Sequence, residues 1–163
     1  MAKVQLIDQQ LFETVLAGAQ QSDRLRKNYN FHPSLADNPH RFLNVMLKGT
    51  YITPHRHANP PKAEAFLILK GEVAFVTFKK NGEIDQIYFL HGFEKEGTHG
   101  IDIAPGVWHT LVVLSEQAIC YEVKPGPYEV TTDKEFADWA PHEGSEGCQQ
   151  YLQSLTAKIE AAG

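Results

Sequence analysis

Turn-forming residues cut the middle of this chain at short intervals, and that punctuation limits its possible folds more than any other feature. Lys48-Gly49, Asn59-Pro60-Pro61, Lys70-Gly71, Asn81-Gly82, Pro105-Gly106 and Pro125-Gly126-Pro127 mark the breaks. The segments between them, 41–48, 65–70, 72–78, 84–91, 100–104, 110–114 and 118–124, are rich in β-branched, leucine and aromatic residues. Such pieces are too short for ordinary helices and suit strands. At least seven short strands separated by turns predict an all-β sandwich, jelly roll or barrel. Asn81-Gly82 predicts a hairpin with a type I′ turn, in which both central residues need positive φ.

The two ends read differently. Leu11, Phe12, Val15, Leu16 and Ala19 make one helical stripe over 8–20, with Asp8 as N-cap. Cys148, Tyr151, Leu152, Leu155 and Ile159 make a second stripe near the C-terminus. A short third helix is expected over 133–139, capped by Thr132 or Asp133 and stopped by Pro141. The expected organisation is one domain over 1–163: an N-terminal helix within 1–22, a barrel region over 23–130 and a C-terminal helical segment over 131–163. At 163 residues such a domain buries enough surface to fold without disulfides. Cys120 and Cys148 lack metal-ligand spacing and read as free thiols. The longest apolar run, 65–69, falls far short of the about 20 residues that span a bilayer, so no membrane partner is expected. The first residues lack the apolar core of a secretory signal, which points to the cytoplasm. A net charge of −5 gives no electrostatic reason to expect nucleic acid.

The eight histidines carry the chemistry. His55 and His57 flank Arg56, and in an extended strand residues i and i+2 share a face, so both imidazoles can reach one point. Glu64 stands at the start of the apolar segment 65–69, and His109 opens the apolar segment 110–114 straight after a Pro-Gly turn. Taken singly, each of these is an ordinary surface or satisfied residue. Together, three imidazoles and one carboxylate at the mouths of buried strands suit Fe, Mn, Ni, Zn or Cu. His40, His91, His99 and His142 have no partner at ligand spacing and are expected at the surface or in loops.

Gly49, five residues, His55-Arg56-His57, then Glu64, six residues and Gly71 together resemble the first sequence motif of the cupin superfamily. Pro105-Gly106-Val107-Trp108-His109 resembles the second. The resemblance implies an antiparallel jelly-roll barrel in which His55, His57, Glu64 and His109 bind one divalent transition metal. The chain is also similar to the WbuC family of cupin-fold metalloproteins through Arg26-Lys27-Asn28-Tyr29-Asn30-Phe31-His32, Gly126-Pro127-Tyr128 and Trp139-Ala140-Pro141. That family is associated with surface-polysaccharide gene clusters, and its reaction is not established. Two features depart from the cupin pattern. The gap from His57 to Glu64 is longer than usual, and the residues a shorter gap would select, Pro61 and Lys62, are no carboxylates. The second motif is one residue short, with Val113 where many cupins carry Asn. Either residues 58–63 bulge and Glu64 still binds, or three histidines act with open water positions. Glu122, on one strand face with Cys120 and Lys124, is the alternative carboxylate; its competing reading is a salt bridge with a neighbouring Lys or Arg.

A second polar set alternates just ahead of the strands. Arg24, Arg26, Asn28, Asn30 and His32 share one face if this stretch is extended, while Leu25, Tyr29 and Phe31 take the other. Guanidinium, carboxamide and imidazole groups suit a hydroxylated or anionic small molecule; the competing reading is a solvated edge strand. Trp108 is expected to pack in the core rather than wall the site. Three functions follow as expectations. The first is a metal-dependent enzyme of isomerase, epimerase or oxygenase type acting on a small polar, sugar-derived molecule. The second is a metal-containing module that binds or senses a small ligand. The third is a metal-free epimerase-like cupin using histidine as acid and base. Uncovered sheet edges also lead to the expectation of a homodimer.

Overall fold

The structure is a computed structural model that describes residues 2–163; Met1, at the head of the expected 1–22 segment, lies outside the described residues. In chain order the elements are α1 (Gln9–Gln20), β1 (Arg26–Asn30), β2 (His40–Leu47), β3 (His55–Arg56), β4 (Glu64–Lys70), β5 (Glu72–Phe78) and β6 (Ile84–His91). They continue as β7 (Gly100–Ile103), β8 (Trp108–Val113), β9 (Gln117–Lys124), β10 (Glu135–Phe136) and α2 (Cys148–Ala162). The strands form two antiparallel five-stranded sheets, ordered β1-β2-β9-β4-β7 and β10-β3-β8-β5-β6. This is the jelly-roll arrangement expected from the sequence.

Strand alternation sorts the core into three layers. Met46, Phe66, Ile68 and Cys120 from the first sheet meet Val73, Phe75, Leu111 and Val113 from the second, filling the space between them. The opposite faces of both sheets are also apolar, and each is covered by a helix. Val15 and Ala19 of α1 pack on Leu43, Val45 and Ile119. Leu152, Leu155 and Ile159 of α2 pack on Ala74, Val76 and Val112. A strand covered on both faces has no reason to alternate in polarity, which is why β5 is buried continuously from Val73 to Phe78. The helix stripes match the reading of the ends, and Asp8 caps α1 by accepting a hydrogen bond from the Leu11 backbone N–H.

Two local expectations are corrected. Residues 133–139 form no helix; β10 instead pairs with β3, setting Glu135 opposite Arg56 and Phe136 opposite His55. Of the two candidate caps, Asp133 is committed elsewhere, buried against Lys62 and Lys124. The pairing is reinforced by a two-pronged contact from Arg56 to Glu135 at 2.8 and 3.0 Å. Strand pairing therefore extends past residue 130, and the C-terminal helix occupies only Cys148–Ala162. The β5–β6 hairpin forms as expected but not through a type I′ turn. Gly82 alone has positive φ, its N–H donates to the Lys79 carbonyl, and the ladder register shifts between Thr77 and Phe78. A side chain at Gly82 would strike the Trp139 ring, whose Cδ2 lies 2.7 Å from where a Cβ would sit.

Leu43 is fully buried under α1. Leu43→Ala is expected to cost about 2–5 kcal/mol of unfolding free energy, read by urea denaturation. Val130→Ala, at an exposed position, should stay within about 0.5 kcal/mol of wild type.

Candidate functional site

Cross-strand pairing brings the first two histidines together. His55 on β3 lies directly opposite His109 on β8, and their ring centroids are 4.5 Å apart. His57 follows two residues after His55 and faces the same way. Glu64 comes from the other sheet, opening β4. The long gap before it closes on itself: Ala58 bridges to Pro61, and the His57 carbonyl accepts hydrogen bonds from the N–H groups of Lys62 and Gly106. Residues 58–63 are thus a compact bulge, and Glu64 returns to the histidines. One potential ligand atom from each of His55, His57, Glu64 and His109 lies within 4.8 Å of every other, and all four residues are buried.

Hydrogen bonding at the far side of each ring fixes what this group offers. Nδ1 of His55 donates to the Thr53 carbonyl at 2.9 Å, and Nδ1 of His109 to the Val107 carbonyl at 2.8 Å. Nδ1 of His57 donates to the Asp133 carbonyl. A carbonyl only accepts, so each Nδ1 carries the proton and each Nε2 presents a lone pair. Nε2 of His57 lies 3.2 Å from Glu64 Oε1, and Nε2 of His109 lies 3.1 Å from Oε2. Even so, His57 Nε2 and Glu64 Oε2 are buried without a hydrogen-bond partner. Lone pairs facing carboxylate oxygens repel unless a cation lies among them, so this donor set fits a divalent transition metal. Burial, followed by the neighbouring His109, holds His55 well below the usual imidazole range. Burial pushes the Glu64 carboxyl up, but the adjacent His109 and His57 outweigh it, leaving the carboxyl well below its ordinary range. Neutral imidazole and ionised carboxylate are the forms that bind metals.

A cavity of about 550 Å³ adjoins this group, with Phe66 and Leu111 in its wall. All five residues of the alternating row, Arg24, Arg26, Asn28, Asn30 and His32, line it. The register explains why: Asn28 pairs with Asn44 and Asn30 with Phe42, so the row continues the inner face of the first sheet to its edge. Tyr29 and Phe31 take the outer face, against the layer that α1 covers. Arg24 and Arg26 both contact the Glu143 carboxylate, at 2.7 to 3.1 Å. Glu122 also faces the cavity but stands outside the histidine group. The salt bridge expected for it does not form among the described residues. Its Oε1 instead accepts a hydrogen bond from Asn44 Nδ2 at 3.1 Å, because β2 and not a basic residue covers that carboxyl. Burial and then repulsion from Glu64 raise the Glu122 carboxyl to about 7.

Sequence reasoning missed several wall residues. His40, expected at the surface, is buried on β2 and stacks on His32 with centroids 4.0 Å apart. Its parity with Phe42 and Asn44 was the available signal. Lys124, Tyr128 and Lys134 also line the cavity. Lys124 shares a strand face with Glu122, whereas Lys134 follows an irregular stretch whose path no periodicity reveals. His91, His99 and His142 lie outside the cavity wall. Trp108 packs on Trp139 and beneath the Arg56 guanidinium, at 4.5 Å, in keeping with a core role.

A family model described as "Domain of unknown function (DUF6016)" matches residues 7–90. No curated protein matches the sequence. Among solved structures, the fold is similar to the capsular polysaccharide assembling protein CapF from Staphylococcus aureus. That match has 20% identity and a TM-score of 0.56, and covers 71% of this chain but only 30% of CapF. It is also similar to an uncharacterized conserved protein with a double-stranded β-helix domain from Klebsiella pneumoniae. Here identity is 10% and the TM-score 0.56, over 85% of this chain and 99% of the other. These likenesses show the double-stranded β-helix fold.

Burial pushes the Glu143 carboxyl up, but hydrogen bonds from Arg24 and Arg26 outweigh it and bring the carboxyl down to about 2. Unfolded glutamate titrates near about 4.3, so the contribution of these pairs is complete above that pH and is lost as pH falls toward 2. Glu143→Gln should therefore cost about 1–2 kcal/mol at pH 7, and its denaturation midpoint should converge on wild type as pH approaches 2.

Proposed function

This chain belongs to the DUF6016 family, a domain of unknown function, and we propose that it is a cupin metalloprotein that acts on a small polar molecule. In this reading His55, His57, Glu64 and His109 hold one divalent transition metal at the inner end of the polar cavity. The observation that carries it is the fixing of three Nδ1–H groups on backbone carbonyls, which aims three Nε2 lone pairs and a carboxylate at one small space. When bound, such a metal supplies Lewis acidity toward a substrate oxygen, and iron adds reactivity with O2.

The chain's own residues supply the rest. Asn28 and Asn30 offer donors and acceptors to hydroxyl groups at the rim. Phe66 and Leu111 keep part of the wall dry, which strengthens charge interactions within it. Glu122, with a carboxyl near neutrality, holds a proton at slightly acid pH and releases it at slightly alkaline pH, as a general acid or base requires. This combination favours an isomerase, epimerase or oxygenase. The narrower assignment, a WbuC-type cupin linked to surface polysaccharide, draws support from the motif resemblance. The fold's likeness to the capsular polysaccharide assembling protein CapF points the same way.

Elemental analysis of protein purified without an affinity tag tests the reading. About one equivalent of a transition metal is expected in wild type, and less than about a fifth in His57→Ala, with occupancy falling in acid as protons compete for the imidazoles. Wild type without stoichiometric metal would sink the metal reading in favour of histidine acid–base chemistry. Metal with tight ligand binding but no turnover, across sugars and sugar derivatives with and without O2, would favour a binding module.

A further inference from the structure

The cavity wall carries positive charge that its neighbours do not balance. Arg24 and Arg26 share the single carboxylate of Glu143. Lys62 and Lys124 share the single carboxylate of Asp133, at 2.8 and 2.9 Å. Each trio keeps one net positive charge. Lys134, also in the wall, takes part in no ion pair or hydrogen bond among the described residues and adds a third. Opposing these, Glu64 is turned to the histidines and Glu122 is partly neutral at physiological pH. A divalent metal would make the cavity more positive still.

Lys134 is the unusual member. Burial and then the neighbouring Lys124 ammonium draw it below the ordinary lysine value. A half-buried, unpaired ammonium carries a desolvation cost, and an anion placed against it would remove that cost. Lys124 and Tyr128 stand in the same wall, with the Lys124 Nζ 5.8 Å from the Tyr128 ring centre. We propose that Lys134, with Lys124 beside it, forms an oxyanion subsite that fixes a carboxylate or phosphoryl group of the substrate within the cavity. The substrate class is then an anionic, hydroxylated small molecule rather than a neutral sugar. The proposal deepens the metalloprotein reading and rests on it for the chemistry, but not for the binding.

Calorimetric titration of the full-length, metal-loaded protein with D-glucuronate, D-glucose 6-phosphate and D-glucose provides the test. At least one anionic sugar should bind ten-fold or more tightly than glucose, and the stronger of the two identifies the oxyanion as carboxylate or phosphoryl. Lys134→Met should remove most of that preference, whereas Lys134→Arg should keep it. Lys27→Ala, an exposed rim charge, should change affinity by less than about three-fold. Removing an unpaired ammonium should leave the melting temperature of Lys134→Met unchanged or raised, and Lys134→Gln serves as a second variant. Equal or undetectable binding of all three sugars, or an unchanged preference in both neutral variants, overturns the subsite. Metal content is measured on the same samples. Normal metal with no anion preference removes the subsite alone. A Lys134-dependent preference in protein that retains no metal removes the metal reading and leaves the subsite standing.

Discussion

Asp133 ties together parts of the chain that otherwise have no reason to meet. Its carboxylate holds Lys62 from the bulge before β4 and Lys124 from the end of β9, while its backbone carbonyl takes the Nδ1–H of His57. Both oxygens and both ammonium groups are buried, so the cost of desolvating them is met only while the whole set is intact. Placement of His57, closure of the six-residue bulge and docking of the segment that leads into β10 all depend on it. The long gap between His57 and Glu64 and the loss of an expected helix thus have one physical cause.

The parts of the fold governed by local period were legible in the sequence. β4, β5, β6 and β9 lie within a residue of the segments bounded by turn residues, because nothing competes with strand formation there. The two terminal stripes became α1 and α2 for the same reason. His55 and His57 could be paired by parity alone, and His109 by its position at the mouth of a strand. Residues 133–139 misled because an Asp before a short mixed segment is a good helix start in isolation, and only the buried lysines reveal its other use. His40 misled because it lies close to a proline-rich loop, although its strand parity places it inside. Lys134 was illegible: its position depends on the path of residues 125–133, which no repeat or pattern encodes.

The fold and the chemistry draw on different evidence. At 10–20% identity the solved structures share the double-stranded β-helix and little sequence, as expected when a framework is conserved by burial pattern alone. In this chain the polar groups are gathered on one part of the inner faces of its sheets. The apolar layer of Met46, Ile68, Phe75 and Val113 fills one part of the barrel, and histidines, carboxylates and lysines fill the other. The dry part supplies the apolar burial, and the polar part gathers the candidate chemistry.

The alternating row on β1 sits on an edge strand, paired with β2 through five residue pairs and, among the described residues, with no strand on its other side. Because side chains on a strand alternate, a one-residue slip of β1 against β2 would exchange its two faces, and the packing of Tyr29 and Phe31 in the layer under α1 holds it against that slip. Lys27 and Tyr29 would turn inward and Arg26, Asn28 and Asn30 outward, with the histidine group untouched. The apolar face packed under α1 therefore decides which side chains of β1 face the cavity.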